Sequence, residues 1–187
     1  MATSIFDTIR SSAGNADRSF KWYQEQVKKL GNVSQNQLLK ETKQTNSFIT
    51  GRMYLFRYNP KHRETLPYYD MFPLVIPFRK LDEGFLGVNL HYLPYMVRFK
   101  VLKQLNDITN DISMNETTKV NLSWKLLETY SKLKPIKACV KHYLNNFIES
   151  RFLNIPYPDW VIASQLPVED FQKREKSFVW KETGKKY

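Results

Sequence analysis

Three histidines, His62, His91 and His142, and one cysteine, Cys139, are the side chains best suited to bond-making chemistry, and their spacing offers little. There is no His-x-x-x-His or Cys-x-x-Cys pair to hold zinc or a related metal, and no glycine-rich loop stands between a strand and a helix to cradle a phosphate. His91 with Asp70 could serve as base and orienter if strands bring them together. A histidine flanked by Leu90 and Tyr92 on a sheet more often satisfies a local hydrogen bond. Cys139, beside Val140 in an apolar helical pattern, reads as a buried, inert thiol because nothing nearby would lower its pKa. The sequence therefore assigns no catalytic, metal-binding or cofactor-binding residue, and no cofactor.

Binding chemistry is better represented. Tyr54, Phe56, Tyr58, Tyr68, Tyr69, Tyr92 and Tyr95 are interleaved with Arg52, Arg57, Lys61, Arg63, Arg79, Lys80 and Arg98, a mixture suited to stacking on bases while cations hold phosphates. The competing reading is that most of these rings are core. Farther on, Lys134, Lys137 and Lys141 recur at spacings of three and four, one face of a helix, and Lys185 and Lys186 lie in a basic tail. The candidate nucleic-acid-binding residues are Arg52, Arg57, Lys61, Arg63, Arg79, Lys134, Lys137, Lys141, Lys185 and Lys186.

Overall charge points the same way. Lys and Arg number 29 against 18 acidic residues, a net charge of +11 in 187 residues. Such a surface attracts polyanions, whether nucleic acid or an acidic protein neighbour. A single cysteine excludes an internal disulfide and fits a reducing compartment. No apolar run approaches the roughly 20 residues of a membrane span, and the first residues, with Asp7 and Arg10 among scattered apolar ones, lack the apolar core of a secretory signal.

The elements that must position these residues centre on 51–99. Three runs rich in aromatic and β-branched residues are separated by Pro, Gly, Asn and Asp, the pattern of a small meandering sheet. From Met53 to Tyr58, Met53 and Leu55 alternate with Tyr54, Phe56 and Tyr58, so both faces require cover. Phe72 to Phe78, bracketed by Pro73 and Pro77, predicts an edge strand or a bulge, since proline donates nothing to a ladder. Gly84 and Gly87 supply positive φ or room for close backbone approach.

Helices flank this region. Phe20, Tyr23, Val27 and Leu30 form an amphipathic stripe, broken upstream at Gly14-Asn15 and stopped by Gly31-Asn32, and 33–50 reads as a polar connector or short helix anchored by Leu38 and Leu39. After Pro94, Met96, Phe99, Leu102 and Leu105 share one side of a helix expected to pack on the sheet. Ser113 to Glu116 fits a capping box. A further helix from Pro135 would turn Ile136, Val140, Tyr143, Leu144 and Phe147 inward. Asp159 sits near a helix start with Trp160 as a core anchor, Leu166-Pro167 ends that helix, and Phe178, Val179 and Trp180 are expected to dock.

The resulting expectation is an α+β protein: a small antiparallel sheet or SH3-like half-barrel over about 52–93, flanked by an N-terminal helix and a C-terminal helical bundle. Residues 1–50 would be helix and connector, 51–172 the core with sheet 51–93 and helices 94–166, and 173–187 a basic tail, one globular domain in all.

Gly51-Arg52-Met53-Tyr54-Leu55-Phe56 with Asn59-Pro60-Lys61-His62, Thr65 to Val75, and Gly84 to Pro94 resemble virion proteins of T4-like contractile-tailed bacteriophages, nearest to the DNA end protector, or head-completion, family. Cys139 to Leu144, Asp159-Trp160 and Leu166 to Phe171 extend the similarity. The resemblance implies a non-enzymatic virion protein, made in the host cytoplasm during assembly, that caps the end of packaged double-stranded DNA, shields it from host exonuclease and completes the head before tail joining. Implied partners are the DNA end, other head, neck or tail proteins and a second copy of the chain, with no membrane. The alternative is a structural tail, neck or baseplate component whose basic face meets an acidic neighbour. A nucleic-acid-processing enzyme is the third reading.

Overall fold

A computed structural model describes residues 4–109, 125 and 134–185. Residues 4–50 hold three helices, where the sequence predicts an N-terminal helix and a connector or short helix. Helix α1 (Ile5–Ala13) is capped by the Ser4 hydroxyl and ends at Gly14, whose φ of 60° is easily reached without a side chain. Ser19 and Ser34 likewise cap α2 (Phe20–Lys29) and α3 (Gln35–Glu41). Leu38 is buried, and Glu41 accepts a bond from the Ile5 amide, tying α3 to the start of α1.

Strands β1 (Gln44–Thr45), β2 (Met53–Leu55), β4 (Leu74–Leu81) and β5 (Gly84–Asn89) are joined by two strands from the second half, β6 (Val140–Leu144) and β7 (Phe152–Ile155), in one antiparallel sheet ordered β1-β7-β2-β4-β5-β6. A separate two-stranded ribbon pairs β3 (Tyr69–Asp70) with β8 (Phe171–Gln172). The α+β class is as expected, but the sheet is not confined to 52–93. The segment read as helix around Val140 is strand, because β5 offers β6 a full edge of backbone groups that local periodicity cannot reveal. The second half of the chain is thus not a purely helical bundle.

The alternation from Met53 to Tyr58 sorts as predicted. Met53 and Leu55 face the main core shared with the helices, while Tyr54, Phe56 and Tyr58 face a second, mostly aromatic cluster with Phe85, Tyr143 and Phe152. β4 carries the predicted bulge, a register shift between Pro77 and Arg79, yet it lies between β2 and β5 rather than at an edge. The bulge accommodates the missing proline donor, and the Pro77 carbonyl is taken by the Gly51 amide.

Close approach, not positive φ, explains the glycines of β5. A Cβ at Gly84 would fall 1.9 Å from the Tyr143 carbonyl oxygen, and one at Gly87 2.3 Å from Val75 Cγ1. Gly84→Ala must push β6 away, and a loss of roughly 1–3 kcal/mol is expected from the overpacking. A urea midpoint equal to that of the parent protein would overturn this reading.

After a 3-10 turn at Leu90–Tyr92, α4 (Tyr95–Thr109) starts from Pro94, whose carbonyl accepts from Val97 and Arg98. Leu102 and Leu105 are buried as expected, whereas Met96 is exposed. The predicted capping box at Ser113 lies outside the described residues. A short turn of helix, α5 (Lys134–Lys137), precedes β6. Helix α6 (Trp160–Gln165) is buried along most of its length and packs against α1, α2 and, most extensively, α4. Thus α4 rests chiefly on a helix rather than on the sheet. Trp160 is the anticipated anchor, its indole donating to the Ile155 carbonyl.

Helix α7 (Lys176–Lys185) docks through fully buried Val179 and through Trp180, whose indole donates to the His91 carbonyl at 2.8 Å. Phe178 remains 40% exposed. Under α7, Arg98 is wholly buried. It donates to the carbonyls of Leu93, His91 and Ser164 and lies 2.7 Å from Glu169, in contact without the alignment of a hydrogen bond.

Candidate nucleic-acid interface

The chain between β2 and β3 forms one wall of a cavity of about 360 Å³. Tyr58 begins it, bridging to Ile148, and a series of tight turns through Pro60, His62 and Leu66 carries it to Tyr69. Lys173, with φ of 67°, pins this loop from outside by donating to the carbonyls of Arg63, Glu64 and Leu66 at 2.6–2.9 Å. Three backbone acceptors on one ammonium hold the loop in a single shape. The facing wall is β6, from Lys141 to Leu144. Tyr58 and β6 are joined by the Leu144 amide, which donates to the Tyr58 hydroxyl across 86 residues of sequence.

Asp70 and Asn89 form the floor. Asp70 Oδ1 accepts from the amides of Phe72 and Asp170, and Oδ2 accepts from Asn89 Nδ2 and pairs with His91 Nδ1 at 2.7 Å. Burial alone would raise the Asp70 pKa, but the adjacent His91 and the bonds from His91, Asn89 and Phe72 outweigh it and hold the carboxyl below its ordinary value. The sequence allowed a pairing of His91 with Asp70 as the less favoured possibility and gave no sign of the reach to Asp170. Because a carboxylate offers about four lone-pair sites, these donors leave Asp70 saturated. His91 is 0% exposed and does not line the cavity, and its Nε2 is unbonded.

Burial keeps two of the lining phenols protonated. Burial, followed by the Asp70 charge, pushes Tyr92 well above its ordinary pKa, and burial first, then Tyr92 and Asp70, does the same to Tyr143. Lys141 lies 4.1 Å above the Tyr92 ring. Cys139, in the turn before β6 rather than in mid-helix, is buried, and that burial pushes its thiol up to about 12, which makes it inert. Among the described residues, no group of three or more His, Cys, Asp or Glu side chains could hold a metal ion. No helix among them is long and apolar enough to cross a membrane.

Of the candidate cations, Lys61 and Lys141 meet at the cavity, and Arg63 stands on the adjoining turn, bonded to Asn59. The helical stripe of Lys134, Lys137 and Lys141 does not exist, because α5 ends at Lys137 and Lys141 belongs to β6. Arg57 bonds Asn36, Arg52 is exposed before β2, and Arg79 is exposed on β4. Lys137 is exposed, Lys185 pairs with Glu182, and Lys186 lies outside the described residues. The broad aromatic platform is also corrected. Tyr54, Phe56 and Tyr58 are core rings, leaving half-buried Tyr68 and Tyr69 beside the cavity. Sequence reasoning overlooked His62, His142 and Tyr143 as lining groups. The repeated Lys-His pair at 61–62 and 141–142 was the available signal.

These features define a basic α+β protein whose distinguishing site is an aromatic cavity with cations on its walls. Over residues 3–187 the chain matches the family described as Phage T4 terminal DNA protecting protein, and it belongs to that family, the DNA end protectors of T4-like bacteriophages. Neither a curated protein nor a solved structure matches the chain.

Proposed function

We propose that this protein binds the terminus of packaged double-stranded DNA within the phage particle, shields it from host exonuclease and completes the head before the tail joins, and that it does so without catalysis. Family membership supports the DNA-end reading. The structural observation that carries it is the placement of Lys61-His62 and Lys141-His142 on opposite walls of one aromatic cavity. In this reading, Arg52, Arg57, Arg63, Arg79, Lys134, Lys137, Lys185 and Lys186 add general attraction to the phosphate backbone. Head, neck or tail proteins, and a second copy of the chain, would be neighbours in the particle, reached from the host cytoplasm during assembly.

A structural tail, neck or baseplate role is the second reading. It is favoured by the basic residues exposed on elements away from the cavity, such as Arg79 on β4 and Lys137 on α5. Salt dependence separates the two. Each phosphate contact releases condensed counterions, so affinity for linear duplex should fall with a log-log slope of about 0.9 per contact. Replacing Lys61 and Lys141 together by glutamine should flatten that slope by about one to two units. Linear duplex should also outcompete a covalently closed circle of equal length. Equal competition, with an unchanged slope in the double variant, would hand the lead to the acidic-neighbour reading.

A further inference from the structure

We propose that the cavity takes a single nucleotide, the terminal residue of the DNA end unstacked from its duplex, with the base inside among Tyr68, Tyr69 and Tyr92 and the phosphate at the mouth. This inference rests on the DNA-end reading above and adds what part of the end is held, and how.

Size comes first. A cavity of about 360 Å³ is at the lower end of the range for small-molecule sites, roughly 300–1,000 Å³. That is room enough for one nucleotide. A terminal pair is the least costly to open, because it has a stacking neighbour on one side alone, and an overhanging residue needs no opening at all.

Charge fixes the orientation. The floor carries the Asp70 carboxylate, held ionised by its bonds, and it would repel a phosphate driven inward. Lys61, His62 and His142, by contrast, are exposed on the two walls, where a phosphate can reach them. The base therefore goes in and the phosphate stays out. Tyr68, Tyr92 and Tyr143, kept protonated by burial, present rings without negative charge.

The floor also determines selectivity. Asp70 is fully bonded, while Asn89 gives its amide to Asp70 and its oxygen to the His91 amide. Donors and acceptors already spent within the protein cannot read base edges. Recognition by ring stacking alone tolerates every base. The loop wall is pre-shaped by Lys173, so little ordering is left for the moment of binding.

The experiment uses the full chain and three competitors of one sequence: a closed circle, a linear duplex with a one-nucleotide overhang, and a linear duplex whose terminal pair is crosslinked and cannot open. The overhang should bind about tenfold more tightly than the crosslinked end, and the four possible overhanging bases should agree within about threefold. Tyr68→Ala, which removes a stacking ring, and Leu66→Trp, which fills the cavity, should each erase the difference between the two ends. Thermal melting confirms that each variant is folded, and Tyr68→Ala carries the test if Leu66→Trp is not. A crosslinked end that binds as tightly as the overhang, both ahead of the circle, sinks the single-nucleotide inference and leaves end binding standing. No advantage for either linear duplex over the circle sinks both.

Discussion

Asp70→Ala should lower the unfolding free energy by roughly 3–5 kcal/mol, the typical cost of removing one partner from a buried charged network. The Phe72 and Asp170 amides, the Asn89 amide and His91 Nδ1 all lose their acceptor at once. Three of these bonds are buried and the one from Asp170 is part-buried. Asp70→Asn keeps one oxygen and should cost less, although its amide then faces two donors. The pH response is set by the sign of the shift. The folded carboxyl titrates below its ordinary value, so the stability it supplies is fully present above the unfolded pKa of about 3.9 and is lost as pH falls through the lower folded value. Acid unfolding below about pH 4 should accordingly be steeper in the parent protein than in Asp70→Asn. Urea titration from pH 7 to pH 2 measures both, and an unchanged midpoint in Asp70→Ala would show that the carboxylate contributes nothing.

Arg98→Ala should cost a similar amount, roughly 3–5 kcal/mol. The guanidinium donates to the carbonyls of Leu93, His91 and Ser164, the His91 carbonyl being shared with the Trp180 indole, and faces the carboxylate of Glu169, which is 2% exposed. Burial would raise the Glu169 pKa, but Arg98, then His91 and Lys176, pull it below its ordinary value. Lysine cannot substitute, because one ammonium does not span the planar fork. The Tyr95 and Trp180 rings also flank the guanidinium, at 4.6 and 5.6 Å. Loss of Arg98 should therefore loosen α7 and expose the bonds around Trp180 to protease before the sheet unfolds. Arg98→Met combined with Glu169→Leu should recover part of the loss, since no charge is then stranded. Strict additivity in that double-mutant cycle would contradict the coupling.

What the sequence disclosed was whatever short-range pattern controls. Alternation between Met53 and Tyr58 gave a strand with two covered faces, Pro77 marked a bulge, and Val179 with Trp180 marked a docking segment. The family resemblance was carried by contiguous motifs and proved sound. What stayed hidden depends on partners distant in the chain. Val140, Tyr143, Leu144 and Phe147 have helical spacing, and only the waiting edge of β5 makes 140–144 a strand. That same edge carries Lys141 and Tyr143 to the loop at Lys61. The cavity could not be read from either segment separately. Asp70 was a possible partner of His91, yet its bond to the Asp170 amide depends on the ribbon between β3 and β8.

The strand order also sets a timetable for synthesis. β7 lies between β1 and β2, so the inner edge of β2 has no partner until residues 152–155 have been made. With 155 − 55 = 100 residues from the end of β2 to the end of β7, at roughly 5–20 residues per second that edge waits about 5–20 s, with the apolar Met53-Tyr54-Leu55 on display. An unpaired strand of this kind is a template for the wrong neighbour, including the same strand of another nascent chain. The vulnerable interval in producing this protein therefore falls between translation of the β4–β5 hairpin and the arrival of β7. Crowded ribosomes on one message would add to the wrong partners within reach without changing the native fold.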